Sequence, residues 1–399
     1  METPPGFSFA ESFTKLQLIS LDACTRCFEC LKYCPALDIT NETAWSTPEK
    51  LRLYGDLVRT QEGVSTKFFG RPRLDERTMA TLTEALYTCT TCGVCGEVCP
   101  VGINTQELWP ALRARMVELG LGPWGAQQAT DGIVRDKHNP YDKPHGERFA
   151  WLPDDVPVAE RADVGFYVGC SGAYVAQPMM IGAVRMLHAA GIEFTIFDDE
   201  WCCSFPLYVI GKLDQCAELT RHNVEGFVAR GVKRLVVSCP CCTFTIQNLW
   251  PRFYGAELPF EIVHLTQVMA EAVAQGRLKF SRSTGETLVY HDPCYLARGV
   301  RLVEEPRQIL AAIPDVRLVE MERNRERAKC CGAGGGIRRA KPELSIAMAR
   351  ALIHDAERVG ATTLVLSCPA CFERVNLARQ GLDTPLKIRD LMQVVSELV

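Results

Sequence analysis

The spacing of apolar positions changes near residue 163. Before it, Pro48–Arg59 and Thr81–Tyr87 carry apolar residues at intervals of three and four, which predicts helices. From Val164 onward, short apolar runs alternate with amphipathic stretches. Strands are expected at Val164–Gly169, Glu193–Asp198, Arg234–Ser238 and Glu261–Leu265, with helices at Ala176–Gly191, Leu213–Arg230 and from Cys241. The order then recurs, with strands at Thr287–His291, Val316–Met321, Thr363–Ser367 and Leu386–Ile388. Strands alternating with helices imply parallel sheets joined by crossover helices. Between the two regimes, residues 121–162 are rich in Gly, Pro and charge, with turn signals at Asn139-Pro140-Tyr141 and Trp151-Leu152-Pro153, and read as a linker. The expected architecture is α+β overall: a helix-rich domain over 1–120, the linker over 121–162, and two tandem α/β domains with parallel sheets over 163–285 and 286–399.

Composition narrows the class. The 47% apolar content of the 399 residues is that of a globular chain. A net charge of -4 gives no basic footprint for nucleic acid. No run approaches the roughly 18 apolar residues of a membrane helix, and Met1–Gly6 has no secretory character. A cytoplasmic location is expected, with any membrane association made through a partner. The number that changes the picture is 20 cysteines. In a reducing compartment, regular short cysteine spacings point to metal ligation, with structural disulfides as the weaker alternative.

Those cysteines fall into two grammars. Cys24-x2-Cys27-x2-Cys30-x3-Cys34-Pro35 is followed by Cys89-x2-Cys92-x2-Cys95-x3-Cys99-Pro100. This is the run of two-cluster bacterial ferredoxins, in which the fourth cysteine ligates the other cluster. The expected sets are Cys24, Cys27, Cys30 and Cys99 for one [4Fe-4S] cubane, and Cys89, Cys92, Cys95 and Cys34 for the second. Zinc is the alternative, but its sites use paired C-x2-C arms. The second grammar is an internal repeat: Cys170, Cys202-Cys203, Cys239 and Cys242, then Cys294, Cys330-Cys331, Cys368 and Cys371. Cys170, Cys239, Cys294 and Cys368 each follow the carboxyl end of an expected strand, where open α/β sheets gather ligands.

This pattern, C…CCG…CxxC in two copies, resembles the CCG-domain family. With the ferredoxin run, the whole chain is most similar to the heterodisulfide reductase D-type members. Related layouts occur in class II benzoyl-CoA reductase, sulfite reductase-associated, glycolate oxidase and glycerol-3-phosphate dehydrogenase complexes. The resemblance implies one or two noncubane [4Fe-4S] clusters, each held by five cysteines: Cys170, Cys202, Cys203, Cys239 and Cys242, and Cys294, Cys330, Cys331, Cys368 and Cys371. Ser204 departs from the pattern where glycine is expected, which puts the geometry and occupancy of the first cluster in question. Cys241 is read as a spare thiol or a competing ligand, and Cys216 as buried and structural. His291 is a candidate proton donor, or a residue that packs at the strand end. The glycines after Cys331 are read as backbone making room for a cluster.

The expected function is an electron-transfer subunit of a larger redox complex, whose partner is a flavoprotein, a membrane cytochrome or a substrate-reducing enzyme. The alternative is a catalytic disulfide reductase, or dithiol oxidase, acting at the CCG cysteines. A scaffold in which clusters only hold the fold is the third reading.

Overall fold

The structure is a computed structural model that describes residues 4, 6–11 and 13–399. It forms two compact units. The first gathers Met1–Ala129, Pro206–Leu213 and Gly332–Met348; the second gathers Thr130–Phe205, Asp214–Cys331 and Ala349–Val399. The chain thus passes into the first unit just beyond each Cys-Cys pair. Among the described residues, no helix is long and apolar enough to cross a membrane.

The first unit is helical. The helix Thr47–Glu62 starts at Ser46, whose Oγ accepts the Glu49 N–H at 3.4 Å, and Pro48 sits in the first turn, where a missing N–H costs nothing. Leu51, Tyr54 and Leu57 return to one face and are buried. Asp75 caps Glu76–Tyr87 through the Thr78 N–H at 2.8 Å. The later segments are built into this unit. Ile337, Leu344 and Met348 form an apolar cluster with Ala36. The fully buried Arg113 donates to the carbonyls of Leu86, Cys89, Val209 and Gly335, the last at 2.7 Å.

The second unit contains two parallel sheets, as the alternating pattern leads one to expect. β1 (Val164–Tyr167), β2 (Arg234–Val237) and β3 (Glu261–His264) lie in that order. β4 (Thr287–Tyr290), β5 (Arg317–Val319), β6 (Thr363–Leu366) and β7 (Lys387–Asp390) pair in the order β5-β4-β6-β7. The repeats differ at one edge. The strand expected at Glu193–Asp198 does not form; Thr195 alone bridges to Gly165 and Ala159. Thr195 N–H donates to Val164 O and Phe166 N–H to Thr195 O, both at 2.9 Å; the ladder goes no further because Phe197 O, the next carbonyl on that side, accepts the Glu200 N–H at 3.0 Å in a turn. Both repeats contribute to one core, with Val184, Phe194 and Val236 from the first and Leu288, Ile309 and Val395 from the second. Helix Gln177–Ala189 lies so close to Leu391–Ser396 that a Cβ on Gly182 would stand 3.0 Å from the Met392 backbone.

Candidate metal centres

Two cavities in the first unit collect the ferredoxin-type cysteines. One is lined by Cys24, Cys27, Cys30, Cys95 and Cys99, the other by Cys34, Cys89, Cys92 and Cys95. Their empty volumes, about 380 and 410 Å³, differ little, as suits two copies of one group. Cys99 therefore sits with the first run and Cys34 with the second. Cys34 is extended (φ -74°, ψ 115°), and Pro35 behind it opens the helix Pro35–Thr40. Burial, then the neighbouring thiolates of Cys95, Cys24 and Cys27, push the Cys30 thiol up to about 12. Burial likewise pushes Cys34 up to about 12 against the opposing charge of Lys50. Sulfurs so crowded stay deprotonated only around a cation. Among the described residues lining both cavities there is no His, Asp or Glu. An all-thiol donor set fits a soft metal or an iron–sulfur cluster.

In the first repeat, Cys170 opens the short helix Cys170–Tyr174 beyond β1, and Cys239 caps Pro240–Asn248 beyond β2. Their sulfurs lie close enough to act on one another's titration in sequence: Cys170 with Cys202, Cys202 with Cys203, Cys203 with Cys242, and Cys242 with Cys239. Burial tends to raise Cys203, but bonds with Cys202 and Cys242 bring it down to about 6. Gly169 has φ +73°, and a Cβ there would stand 3.1 Å from Cys242 Sγ, so glycine is needed for both backbone and space. Trp250 Nε1 donates to the Cys203 carbonyl at 3.1 Å and holds the pair from below.

In the second repeat, Cys368 caps Pro369–Arg379 beyond β6, and Cys331 and Cys371 approach to 3.0 Å. Bonds with Cys330 and Cys371 hold the Cys331 thiol well below its ordinary range, and His291 adds to this. One ring nitrogen of His291 and the sulfurs of Cys331 and Cys371 all lie within 4.8 Å of one another. Cys294, also buried, leads into a π-helical turn, Tyr295–Gly299, of a kind frequent at functional sites.

The repeats meet through sulfur. Cys239 is held well below its ordinary range by bonds from Cys241, Cys242 and Cys368, and Cys241 is raised by Cys239 and Cys368. Cys241, read from spacing as a spare thiol or a competing ligand, thus lies beside both Cys239 and Cys368. The glycines after Cys331 do something other than expected: Cβ atoms on Gly334 and Gly335 would stand 2.7 and 2.4 Å from the Thr90 and Cys89 carbonyl oxygens, within the first unit. Sequence reasoning missed Arg148 and Glu200. Both are fully buried at the first repeat, and Arg148 Nη1 and Nη2 lie 3.6 and 3.8 Å from Cys170 Sγ. A cation in a Gly- and Pro-rich stretch carries no periodic signal that could have marked it.

Comparison with known proteins now adds a family. A 4Fe-4S dicluster domain matches residues 20–103, and a cysteine-rich domain matches 164–247 and again 288–376. Together with the cysteine geometry, these make the chain a component of an iron–sulfur oxidoreductase. It is 36% identical over 392 residues to the D-type component of the dihydromethanophenazine:CoB--CoM heterodisulfide reductase of Methanosarcina barkeri, covering 97% of this chain and 96% of that protein. The chain belongs to the D-type heterodisulfide reductase family. It is also 28% identical to the B-type component of the fumarate reductase (CoM/CoB) of Methanothermobacter marburgensis, over 94% and 72% of the two chains. A solved structure of a hypothetical protein from Helicobacter pylori shares the fold, with a TM-score of 0.54 over 90% of this chain and 74% of that one at 10% identity.

Proposed function

We propose that this chain carries electrons between two ferredoxin-type [4Fe-4S] cubanes and noncubane [4Fe-4S] clusters on its cysteine-rich repeats, as one member of a larger redox complex. Cys24, Cys27, Cys30 and Cys99 would hold one cubane and Cys89, Cys92, Cys95 and Cys34 the other. The five-cysteine sets at Cys170, Cys202, Cys203, Cys239 and Cys242, and at Cys294, Cys330, Cys331, Cys368 and Cys371, would hold the remaining clusters. Such groups, when bound, take up and release single electrons at potentials set by their surroundings. The observation that carries the reading is the contrast in exposure. Cys27 is exposed, as an entry edge for a partner's electrons requires, whereas all ten cysteines of the repeats are buried. The partner is a flavoprotein, a membrane cytochrome or a substrate-reducing enzyme.

A second reading is favoured by the bonds of Cys368 with Cys239 and Cys241. Two sulfur-rich sites in contact suit the splitting of a disulfide into two thiolates, with His291 as a proton donor at the second site. The name borne by the Methanosarcina barkeri relative makes a CoB–CoM heterodisulfide the substrate to try. Turnover of that disulfide by the purified chain with reduced viologen is the deciding assay. Turnover supports the catalytic reading, and none, with clusters reducible by dithionite, supports the relay. In the same preparation, Cys99→Ser is expected to remove the paramagnetic signal that depends on Cys24–Cys30 and to spare the one that depends on Cys92 and Cys95.

A further inference from the structure

We infer that Arg148 is a positioning residue that raises the reduction potential of the first cysteine-rich site, so that the sites of the two repeats are electrochemically unequal. This rests on the reading of Cys170 as a cluster ligand. Arg148 comes from the connecting stretch ahead of β1, not from the repeat itself. That stretch is fastened to the first site at two points: the His138 carbonyl accepts the Cys202 N–H at 2.9 Å, and Tyr141 Oη bonds Ser171 Oγ at 2.7 Å. Within the stretch, Trp151 Nε1 donates to the Arg148 carbonyl at 3.0 Å.

The guanidinium has no exposed surface and faces Cys170 Sγ with both terminal nitrogens, at 3.6 and 3.8 Å. Its counter-ion, Glu200, is equally buried and bonds Arg148 directly. The Glu200 carboxylate also accepts the Val168 and Gly169 N–H groups, at 2.8 and 2.9 Å. Its charge is therefore shared with the backbone that leads into Cys170, while the cation is left turned toward the sulfur. The second repeat is built otherwise. There the acid, Asp292, stands two residues before the first cysteine, and its cation, Arg307, is divided between Asp292 and Glu320.

In a dry site a positive charge and N–H donors on a ligating sulfur stabilise the state with one more electron. The step is the gain of one electron from an added reductant, with no proton moved, because arginine stays protonated throughout. A merely structural arginine would leave the potential where it is.

The test is a dithionite titration of the full chain prepared anaerobically, followed by electron paramagnetic resonance, with the first-site signal assigned by its loss in Cys170→Ser. Arg148→Gln is expected to shift that signal to lower potential and to leave the other signals in place. Glu200→Gln is expected to shift it the opposite way, and Arg148→Lys to stay near the wild type. A first-site potential unmoved or raised in Arg148→Gln overturns the proposal. If Arg148→Gln loses iron, the double variant Arg148→Gln/Glu200→Gln, which buries no unpaired charge, decides: a potential below that of Glu200→Gln alone supports the proposal, and an equal or higher one overturns it. A wild type without any Cys170-dependent signal would defeat the cluster reading itself, a result distinct from failure of the arginine's role.

Discussion

Position 204 is where the two repeats differ in chemistry and agree in shape. Ser204 has φ +77°, and Gly332, its counterpart after Cys330-Cys331, has φ +81°. A serine in the left-handed region carries about 1–2 kcal/mol of strain. Its hydroxyl is buried without a hydrogen-bond partner, beside Cys216, whose thiol burial pushes up to about 12. The departure from glycine was legible in the sequence. Its consequence was not, because spacing cannot tell whether a serine will bend the backbone elsewhere or accept the strained angle. We expect Ser204→Gly to keep its iron and to change stability by no more than about 1 kcal/mol. Ser204→Val places a branched Cβ at a positive φ and is expected to cost about 2–3 kcal/mol and to shed iron. Thermal denaturation with iron analysis checks both. Equal losses would implicate the hydroxyl and not the backbone.

Among elements, the segment after Cys331 was read for its composition and misplaced in its contacts. Glycines that can approach closely do so here against another backbone, at Cys89 and Thr90. Sequence spacing reveals that close approach is possible, but not what is approached. The strands fared better, since a buried parallel strand must be apolar along its length. β1 to β7 each fall within a residue or two of the stretches that predict them, although β7 (Lys387–Asp390) is largely polar. The run at Glu193–Asp198 stays a pair of single bridges at Thr195 because its end turns away, with Phe197 O given to the Glu200 N–H, a turn that apolar spacing does not show. Arg113 shows the same limit, being one helical cation joining four carbonyls from three stretches. Arg113→Met would leave those acceptors buried without this donor, and we expect a loss of about 3–5 kcal/mol. Arg113→Lys is expected to recover only part, since an ammonium lacks the planar fork. Urea denaturation of the two variants gives the measurement, and a methionine variant as stable as wild type would contradict it.

For the second unit as a whole, the repeat leaves a titratable pair at its seam. His264 ends β3 and Asp390 ends β7; each caps the next helix in a capping box, with Gln267 and Gln393 answering, and both line one small cavity. Burial lowers His264 to about 4 and raises Asp390 from 3.8 to about 7. The two act in opposite senses. The Asp390 contribution is present at low pH and is lost as pH rises from about 4 through about 7, in all on the order of 4 kcal/mol. His264 must stay neutral, so its contribution is lost as pH falls from about 6.5 toward 4, on the order of 3 kcal/mol. Between those limits the slopes offset. Asp390→Asn keeps the cap and removes one of them, so stability should then climb with pH up to about 6.5 and stay level above it. Denaturant midpoints at several pH values test this, and a profile that still falls near pH 7 would exclude Asp390 as the source.

The closing of the first unit by Ile337, Leu344 and Met348 bears on how the protein is made. All eight ferredoxin-type cysteines have been synthesised by residue 99. The wall that packs against Ala36, next to Cys34, leaves the ribosome only some 240 residues later, roughly a dozen seconds or more at ordinary rates of synthesis. Both cavities are nevertheless walled by residues 24–105 alone. A message broken before residue 332 would therefore still encode every thiol and every lining residue of both sites, and would lack only the apolar buttress behind Ala36.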